Sequence, residues 1–434
     1  MKDAVLNHLI ENNLLSRKQF GFISGRSTVT QLLNYFDKCA ETISNGGVVD
    51  SIYFNFAKAF DTVPYKRLSV KMKAYGIEGD VLVWIEDFLT EREQCVRVNG
   101  ELSLPKPVTS GIPQGSVLGP LLFVLYINDL PDVVQSNILL FADDTKIFQK
   151  IDSKEDALLL QKDIDELQLW SDKWLLRFNI DKCHVLTLGK FSNIQHTHRY
   201  LLYEAELEHV FEEKDLGVIV DMEMTFEEHI ASKVKKANGI MGLIRRSFSF
   251  LDPAMFKLLY TTFVRPHLEY AQPAWSPHLR KHIKMLESVQ IRATKLVDGF
   301  KSLDYAERLE KLDIPTLMHR RERGDMIQVW RHFRTYDQST LSPNFRPTRA
   351  NRKHRYQLTW NRPKDGTKGI QANSFYFRVA KTWNNLPVKV VEAETVDCFK
   401  ARLDEAWTNN PSKRSIDSLS TTNEDQEQFV EDLL

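Results

Sequence analysis

The chain has 434 residues, with 58 Lys and Arg against 58 Asp and Glu, so its formal net charge at pH 7 is zero, and 42% of its residues are hydrophobic. This length is ample for two or three units with real cores. No apolar run approaches the roughly 18 residues of a membrane span, and the start does not read as a signal peptide, so we expect neither a membrane partner nor secretion. The four cysteines form no close pair, which favours reduced thiols in the nucleus or cytoplasm.

The first informative segment is residues 53–64, which read YFNFAKAFDTVP. Its aromatic start predicts a strand, and the residues after it predict the beginning of a helix. Phe60 lies at this passage, where a phenylalanine usually belongs to the core. A functional role for Phe60 therefore needs support from elsewhere in the chain.

The second segment is residues 110–120, which read SGIPQGSVLGP. Three glycines and two prolines in eleven residues predict a rigid loop whose backbone a ligand can approach closely. The apolar run that follows, residues 121–131, predicts a buried helix. Taken alone, Gln114 and Gly115 are equally compatible with an ordinary turn.

The third segment is residues 138–148, which read ILLFADDTKIF. An acidic pair between two apolar runs predicts a tight hairpin with Asp143 and Asp144 in its turn, where both carboxylates can reach one site. Paired carboxylates suit Mg²⁺, which prefers hard oxygen ligands and completes its shell with water and substrate phosphates. The alternative is a solvated turn, since Asp tolerates turn geometry and discourages aggregation.

The zero net charge conceals an uneven distribution. Residues 1–224 carry 23 basic and 33 acidic side chains, residues 225–402 carry 33 and 17, and residues 403–434 carry 2 and 8, so the three differences of −10, +16 and −6 sum to zero. The basic block contains a helical pattern with a basic face at residues 233–244. It also interleaves cations with aromatics in RRER (320–323), WRHFRTY (330–336) and RKHRY (352–356). Such a block can bind phosphates and stack on bases, although a charged run is more often a solvated helix face.

Together these segments resemble the reverse transcriptases of non-LTR (LINE-type) retrotransposons of the jockey-like kind. The resemblance runs from about Leu9 to about Trp407. It includes QFGF (19–22), GRS (25–27), KDLGV (214–218), VRPHLEY (264–270), WSP (275–277) and WNNLP (383–387). It implies an α+β fold of the right-hand polymerase type, with an antiparallel-sheet palm, partial fingers and a helical thumb.

The resemblance also implies catalytic roles. Asp143 and Asp144 correspond to two of the three palm carboxylates that hold the two Mg²⁺ ions of nucleotidyl transfer. Lys182, in NIDKC (179–183), matches a lysine that protonates the leaving group or neutralises its charge. On its own, Lys182 could equally be a solvated connection.

Substrate contacts are implied at four further positions. Phe60 matches an aromatic residue that packs under the incoming sugar and excludes a 2′-hydroxyl. Gln114 and Gly115 match the loop that supports the template and the nascent base pair. The resemblance also implies that Arg26 binds substrate. The partners implied are an RNA template, a DNA primer and deoxynucleotides.

Position 55 departs from the family pattern, because Asn55 stands where the family carries the third metal-binding Asp. An amide offers a neutral oxygen but no charge, and it cannot bridge two cations as a carboxylate does. Since metal ions contribute several kcal/mol at such a transition state, the change is expected to lower the rate by orders of magnitude. Asp61 is expected to begin the following helix and not to replace the missing ligand. Ile23 also replaces a residue that is usually basic.

We expect four regions along the chain. Residues 1–224 form partial fingers and palm, and residues 225–300 form the thumb. Residues 301–406 form a basic C-terminal region with a loop near 342–364, and residues 407–434 form a disordered acidic tail. Because the earlier fingers segment and the upstream endonuclease domain of the family are absent, the sequence is interpreted as an N-terminally truncated copy.

The leading function is RNA-directed DNA polymerase, with doubtful activity in this copy because of Asn55. The alternative is a non-catalytic nucleic-acid-binding relic or a pseudogene product. Metal-assisted hydrolysis by the same carboxylates is also compatible with the residues themselves. The sequence leaves the oligomeric state open.

Overall fold

The computed structural model describes residues 1–190, 198–334, 354, 356–358 and 370–414. The chain divides into two compact units. The first comprises Met1–Gln31 and Glu41–Glu213, and the second comprises Leu32–Ala40 and Lys214–Leu434. Outside the described residues lie most of the predicted loop at 342–364 and, in the predicted acidic tail, residues 415–434.

The first unit mixes helices and strands. Its helices are α1 Lys2–Glu11, α2 Thr28–Ser44 (whose middle residues group with the second unit), α3 Ala59–Thr62, α4 Tyr65–Ala74, α5 Gly79–Leu89, α6 Gly119–Ile127 and α7 Lys154–Trp174. Its strands are β1 Val48–Phe54, β2 Arg92–Gln94, β3 Arg97–Val98, β4 Glu101–Leu102, β5 Lys106–Val108, β6 Asn137–Phe141, β7 Asp144–Ile151, β8 His184–Leu188, β9 Leu201–Leu202, β10 Ala205–Glu206 and β11 Glu208–Val210.

The central sheet of this unit has five strands in the order β11-β8-β1-β7-β6. The pairs β1–β7, β1–β8 and β6–β7 are antiparallel, as expected for the palm. The pair β8–β11 is parallel, so the sheet is mixed at one edge, which differs from the antiparallel sheet expected from the sequence. Strand β1 is central and buried on both faces, and its end leads directly toward position 55.

Helices α6 and α7 contribute much of the core against this sheet. All residues of α6 from Leu121 to Ile127 are buried, which confirms the predicted buried helix. In α7, the buried residues Leu160, Ile164 and Leu167 follow helical spacing, so one apolar face packs inward. The side chain of Ser153 caps α7 by accepting a hydrogen bond from the Asp156 N–H.

The second unit is mainly helical in its described residues. Its helices are α8 Glu227–Ser247, α9 Pro253–Leu259, α10 Arg265–Glu269, α11 Gln272–Trp275, α12 Arg280–Thr294, α13 Tyr305–Leu312, α14 Leu317–Arg334, α15 Ile370–Asn373, α16 Phe375–Asn384, α17 Val388–Val391 and α18 Val396–Ala406, with a π-helical turn at Tyr260–Val264. Strands β12 Glu212–Asp215 and β13 Val218–Asp221 pair with each other. The helix predicted over residues 233–244 lies within α8.

Residues 408–414 differ from the predicted disorder. A 3-10 turn at Pro411–Lys413 follows α18, and the main-chain oxygen of Ser412 accepts a hydrogen bond from the Thr316 hydroxyl at 2.5 Å. The Ser412 hydroxyl donates to Glu322 at 2.9 Å. Ser412 therefore forms hydrogen bonds with Thr316 and Glu322 near the start of α14. Composition alone does not reveal such a pairing.

No helix within the described ranges is both long enough and apolar enough to cross a bilayer.

Candidate active site

The hairpin that carries the two aspartates joins β6 to β7. Phe141 pairs with Asp144, so the turn itself consists of Ala142 and Asp143. The hairpin prediction is confirmed, but Asp144 opens β7 and does not lie in the turn. Ala142 adopts a left-handed φ of 54°, which is costly for a residue with a side chain. The two carboxylates are thus adjacent along the chain at one end of the sheet.

The environments of the two carboxylates differ. Asp144 is exposed, whereas Asp143 is half-buried. Partial burial raises the pKa of Asp143 because it removes water from the charged form, and the residue's own backbone N–H opposes this effect only in part. A partly dehydrated carboxylate beside a second carboxylate is a good position for a cation.

Position 55 continues β1 toward the same hairpin. Strand β1 ends at Phe54, which pairs with Thr145, so Asn55 directly follows the last β1 residue that pairs with β7. The main-chain oxygen of Asn55 accepts a hydrogen bond from the Asn179 N–H at 2.7 Å. This bond holds the backbone irrespective of which side chain the residue carries. Asn55 and the hairpin thus lie at the same end of the β1–β7 pair, and the shared metal site stays a prediction.

The donor set at this strand end is small. Two carboxylates and one amide suit a Mg²⁺ ion that takes its other ligands from water and substrate phosphates. Among the described residues, no group of three or more His, Cys, Asp or Glu side chains is placed to hold a metal. The described part of the chain therefore offers no third carboxylate in place of Asn55.

Lys182 lies in a short 3-10 turn, Ile180–Lys182. This turn follows Asn179, the residue bonded to the Asn55 carbonyl, and the Lys182 N–H donates to the Asn179 oxygen at 3.0 Å. The Lys182 side chain is exposed. The structure thus connects Lys182 to position 55 through the backbone and leaves its ammonium group accessible.

Phe60 lies in α3 and is only half-buried, so it is not an ordinary core residue. Its ring stacks on Phe123 of α6, with centroids 4.4 Å apart and planes 20° apart. Phe22 approaches edge-on, with a centroid separation of 6.5 Å. Packing on Phe123 fixes the orientation of Phe60 while part of the ring stays open to a ligand.

The Gly- and Pro-rich loop is attached to the segment that follows Phe60. The Ile112 N–H donates to the Phe60 oxygen at 2.7 Å, and the Gly111 N–H donates to the Val63 oxygen at 2.9 Å. A Cβ atom at Gly111 would lie 2.6 Å from the Asp61 main-chain oxygen, so only glycine permits this approach. The two backbone segments therefore form one rigid element.

Gln114 and Gly115 lie at the exposed part of this loop. The Gln114 side chain donates from Nε2 to Asp61 Oδ1 at 2.9 Å, and the Ser110 hydroxyl donates to the Asp61 carbonyl at 2.9 Å. Gly115 has a φ of 81° and no atom within 4 Å of a Cβ built there, so its backbone conformation is what requires glycine.

Asp61 therefore differs from its prediction. It lies inside α3 and does not begin the next helix, whose N-cap is Pro64. Sequence reasoning missed its role as the partner of Gln114. The available signal was an acidic residue directly after Phe60. It did not identify Gln114, because the two residues are 53 positions apart in the sequence.

Arg26 makes contacts within its own segment. Its Nη1 donates to the main-chain oxygen of Ser16 at 2.7 Å and to that of Gln19 at 2.5 Å. The guanidinium thus stabilises the loop that precedes α2. Its predicted contact with substrate stays a prediction.

Part of the basic block in the second unit is committed to internal contacts, contrary to its predicted role in nucleic-acid binding. Arg320 pairs with Glu269, and Arg323 pairs with Asp404 through two bonds of 2.6 and 2.8 Å. Arg321 is buried. These α14 cations are engaged by carboxylates or by burial, so they are poorly available to phosphates.

Two ring-bearing residues of the same block, Trp330 and His332, are internal as well. Trp330 stacks on Phe399 with centroids 5.8 Å apart, and His332 is fully buried. Of the segment 352–356, only His354 and Tyr356 lie among the described residues. Trp330 is therefore enclosed by the protein and is not available to stack on bases.

Helix α8 retains the basic surface that the sequence predicted. Lys235, Lys236, Arg245 and Arg246 are exposed, whereas Lys233 donates to the Gly217 oxygen at 3.2 Å. The buried face of α8 includes Ile230, Ala237 and Met241, among others. One face therefore packs and another presents cations, an arrangement suited to the phosphates of a nucleic acid.

The first unit thus contains a strand-end carboxylate pair, a Gly- and Pro-rich loop and a stacked aromatic residue, which are the features expected of a polymerase palm. Residues 1–218 match the family described as reverse transcriptase (RNA-dependent DNA polymerase), and the chain belongs to this family. The α+β fold class and the family resemblance are therefore confirmed.

Two relatives illustrate the match. The chain is 28% identical over 352 residues to the RNA-directed DNA polymerase from mobile element jockey of Drosophila melanogaster, covering 75% of this chain and 37% of the relative. It is 27% identical over 297 residues to the probable RNA-directed DNA polymerase from transposon X-element of the same species. This alignment covers 65% of this chain and 32% of the relative. The chain thus spans about a third of the length of these curated relatives.

Among solved structures, telomerase from Candida albicans in complex with the TWJ fragment of telomeric RNA is similar with a TM-score of 0.42 and 9% identity. The alignment covers 72% of this chain and 56% of that one.

Proposed function

We propose that this chain is the polymerase portion of a non-LTR retrotransposon protein, built for RNA-templated DNA synthesis, and that Asn55 severely impairs its chemistry. The observation that carries the proposal is the β6–β7 hairpin that presents Asp143 and Asp144 at the strand end where β1 leads into Asn55. In this proposal, residues 1–224 form fingers and palm, residues 225–300 form the thumb, and residues 301–406 form a basic C-terminal region. An RNA template, a DNA primer and deoxynucleotides are the partners. The free thiols fit a nuclear or cytoplasmic setting.

The carboxylates of Asp143 and Asp144 would hold Mg²⁺. A metal ion held there would supply positive charge to activate the primer 3′-hydroxyl and to stabilise the pyrophosphate leaving group. The raised pKa of Asp143 supports this assignment, because a cation would relieve the cost of its partial dehydration. The Asn55 amide offers one neutral oxygen. It therefore cannot supply the negative charge of a carboxylate or bridge two cations as a carboxylate does.

The remaining residues orient the substrates. Phe60, held by its stack on Phe123, would contact the incoming sugar and disfavour ribonucleotides. The loop with Gln114 and Gly115 would support the template and the nascent base pair, with Asp61 orienting Gln114. The exposed ammonium group of Lys182 would donate a proton or positive charge to the leaving group.

Primer extension on an adenine-rich RNA template tests the proposal, with the unmodified chain and Asn55→Asp compared in Mg²⁺ and in Mn²⁺. We expect Asn55→Asp to raise the extension rate by about a hundredfold or more, because it restores an anionic ligand. Asp143→Asn in the Asn55→Asp background should abolish the gain. Robust extension by the unmodified chain, or no gain from Asn55→Asp, would contradict the proposal.

A second function, binding of nucleic acid without synthesis, is favoured by the exposed cations of α8. Filter binding of a primer–template duplex over a range of salt concentrations tests it. Steeply salt-dependent binding together with no extension by either variant would support this function. Failure to bind at low salt would reject it.

A further inference from the structure

A short segment before α2 runs along the free edge of the palm sheet. The Phe20 N–H donates to the Leu140 oxygen at 2.7 Å, and the Leu140 N–H donates to the Lys18 oxygen at 2.9 Å. Gln19 forms a parallel bridge with Leu140 of β6. Since β6 is the last strand in the sheet order, this segment adds a pairing next to the hairpin that carries the aspartates.

The side chain of Gln19 reaches the hairpin turn itself. It is 1% exposed, and its Oε1 accepts hydrogen bonds from the Ala142 N–H at 2.9 Å and from the Gly21 N–H at 2.7 Å. Both donors are buried main-chain groups that would otherwise lack a partner at this point. One carbonyl oxygen thus connects the edge segment to the residue directly before Asp143.

Gly21 provides separate support for this contact. A Cβ atom at Gly21 would lie 2.4 Å from the Ala142 nitrogen and 3.0 Å from the Phe141 carbonyl carbon. The edge segment therefore lies against the turn at a distance that only glycine allows. Together, the hydrogen bond and the close approach enclose Ala142 from one side.

The conformation of Ala142 makes this enclosure important. A non-glycine residue with a φ of 54° is strained and persists only where the surroundings hold it. If the turn relaxes, the direction of the Asp143 carboxylate relative to Asp144 changes with it. A metal site needs both carboxylates held in a fixed relation.

We infer that Gln19 is a positioning residue of the metal site: its carbonyl oxygen holds the Ala142–Asp143 turn and thereby sets the affinity of the aspartate pair for a divalent cation. Gln19 itself contacts neither metal nor substrate. The inference rests on the proposed function, because it assumes that Asp143 and Asp144 bind the metal. It predicts that the side-chain acceptor, and not the bulk of residue 19, is what matters.

The test compares Gln19→Met, which has a similar length without the acceptor, with Gln19→Glu, which keeps one. Gln149→Met is the matched control, since Gln149 lies on the same hairpin in β7, away from the turn. Hydrogen exchange of the Ala142 amide reports opening of the turn, and electron paramagnetic resonance of Mn²⁺ reports metal affinity in the full chain. Asp143→Asn identifies the share of Mn²⁺ binding that belongs to this site.

We expect Gln19→Met to speed exchange at Ala142 by about tenfold or more and to weaken Asp143-dependent Mn²⁺ binding by at least threefold. Gln19→Glu should restore protection of the turn, and Gln149→Met should match the unmodified chain. Unchanged exchange at Ile52 and Ile147 in the sheet core verifies that each variant is folded. Should Gln19→Met fail this check, the shorter amide of Gln19→Asn, which withdraws the acceptor, takes its place.

Equal turn exchange in Gln19→Met and Gln149→Met would overturn the inference. Faster exchange with unchanged Mn²⁺ affinity would overturn it as well, because Gln19 would then be only structural. Failure of the proposed metal site has a different signature, since the unmodified chain would show no Mn²⁺ binding that Asp143→Asn removes. The exchange data would then still decide whether Gln19 holds the turn.

Discussion

Two carboxylates, one in each unit, have opposite environments. In the first unit, Asp143 lies half-buried at the end of a hairpin, and partial loss of water raises its pKa. In the second unit, Asp325 accepts two hydrogen bonds of 2.9 Å from the guanidinium of Arg378. Arg378 also donates to the Pro273 oxygen at 2.8 Å. A buried charge with a complete set of partners serves the fold, while a carboxylate held partly dehydrated at an accessible strand end is typical of a functional site.

The largest expected effect on stability comes from breaking the completed pair. Arg378→Met leaves Asp325, whose side chain is 9% exposed, without its counter-charge, and it should lower the free energy of unfolding by about 3–5 kcal/mol in urea titrations. Adding Asp325→Leu should recover much of the loss, because the carboxylate left without its guanidinium partner is then removed. A single variant that is no less stable than the double variant would show that the pair does not stabilise the second unit.

A second test uses pH, because burial lowers the pKa of His332 from 6.5 to about 4. Between these values the unfolded chain binds a proton that the folded chain does not, so this contribution to stability is complete above pH 6.5 and is lost as the pH falls toward 4. His332→Phe should shrink the difference in unfolding free energy between pH 7 and pH 4.5 by about 2 kcal/mol. His332→Gln, which also cannot titrate, should do the same, and an undiminished difference would contradict the prediction.

A third test asks whether the hairpin carboxylate is kept at the expense of stability. Asp143→Asn removes a charge that partial dehydration disfavours, so the free energy of unfolding at pH 7 should stay the same or rise slightly, by less than about 1 kcal/mol. Asp325→Asn, the matched change at the paired site, should be clearly destabilising. Equal losses in the two variants would remove the distinction between these carboxylates.

The smallest expected effect on stability comes from the exposed face of α8. Changing Lys235 and Lys236 to Gln should alter the unfolding free energy by less than about 0.5 kcal/mol. The slope of log K for duplex binding against log salt concentration should become shallower by about 0.9 for each phosphate that is no longer neutralised. Arg323→Gln is the matched control, because Arg323 is paired with Asp404 and should leave the slope unchanged. A slope that responds to Arg323 and not to the lysines would reverse this assignment.

Local pattern predicted much of the first unit. Acidic residues between two apolar runs indicated the hairpin, and the continuous apolar run indicated α6, because neighbouring residues determine both features. The exact turn was missed, since whether Asp144 pairs with Phe141 depends on register and not on composition.

Distant pairing explains what the sequence did not reveal. Arg323 and Asp404 are 81 residues apart, and the bond from Ala142 to Gln19 spans 123 residues. A run of arginines therefore looked like a phosphate-binding surface, although its counter-charges, Glu269 and Asp404, come from two other helices, α10 and α18. Gln19 stood out only as part of a motif, because nothing local shows that its side chain is buried against the turn.

The main-chain hydrogen bond from the Asn179 N–H to the Asn55 oxygen has an evolutionary consequence. Because this hydrogen bond uses the backbone and the half-buried amide has nearly the shape of a carboxylate, the local backbone can accept Asn or Asp at position 55. Their codons differ by a single base, so under the proposed function one mutation suffices to remove or restore the third carboxylate while the backbone around it is kept.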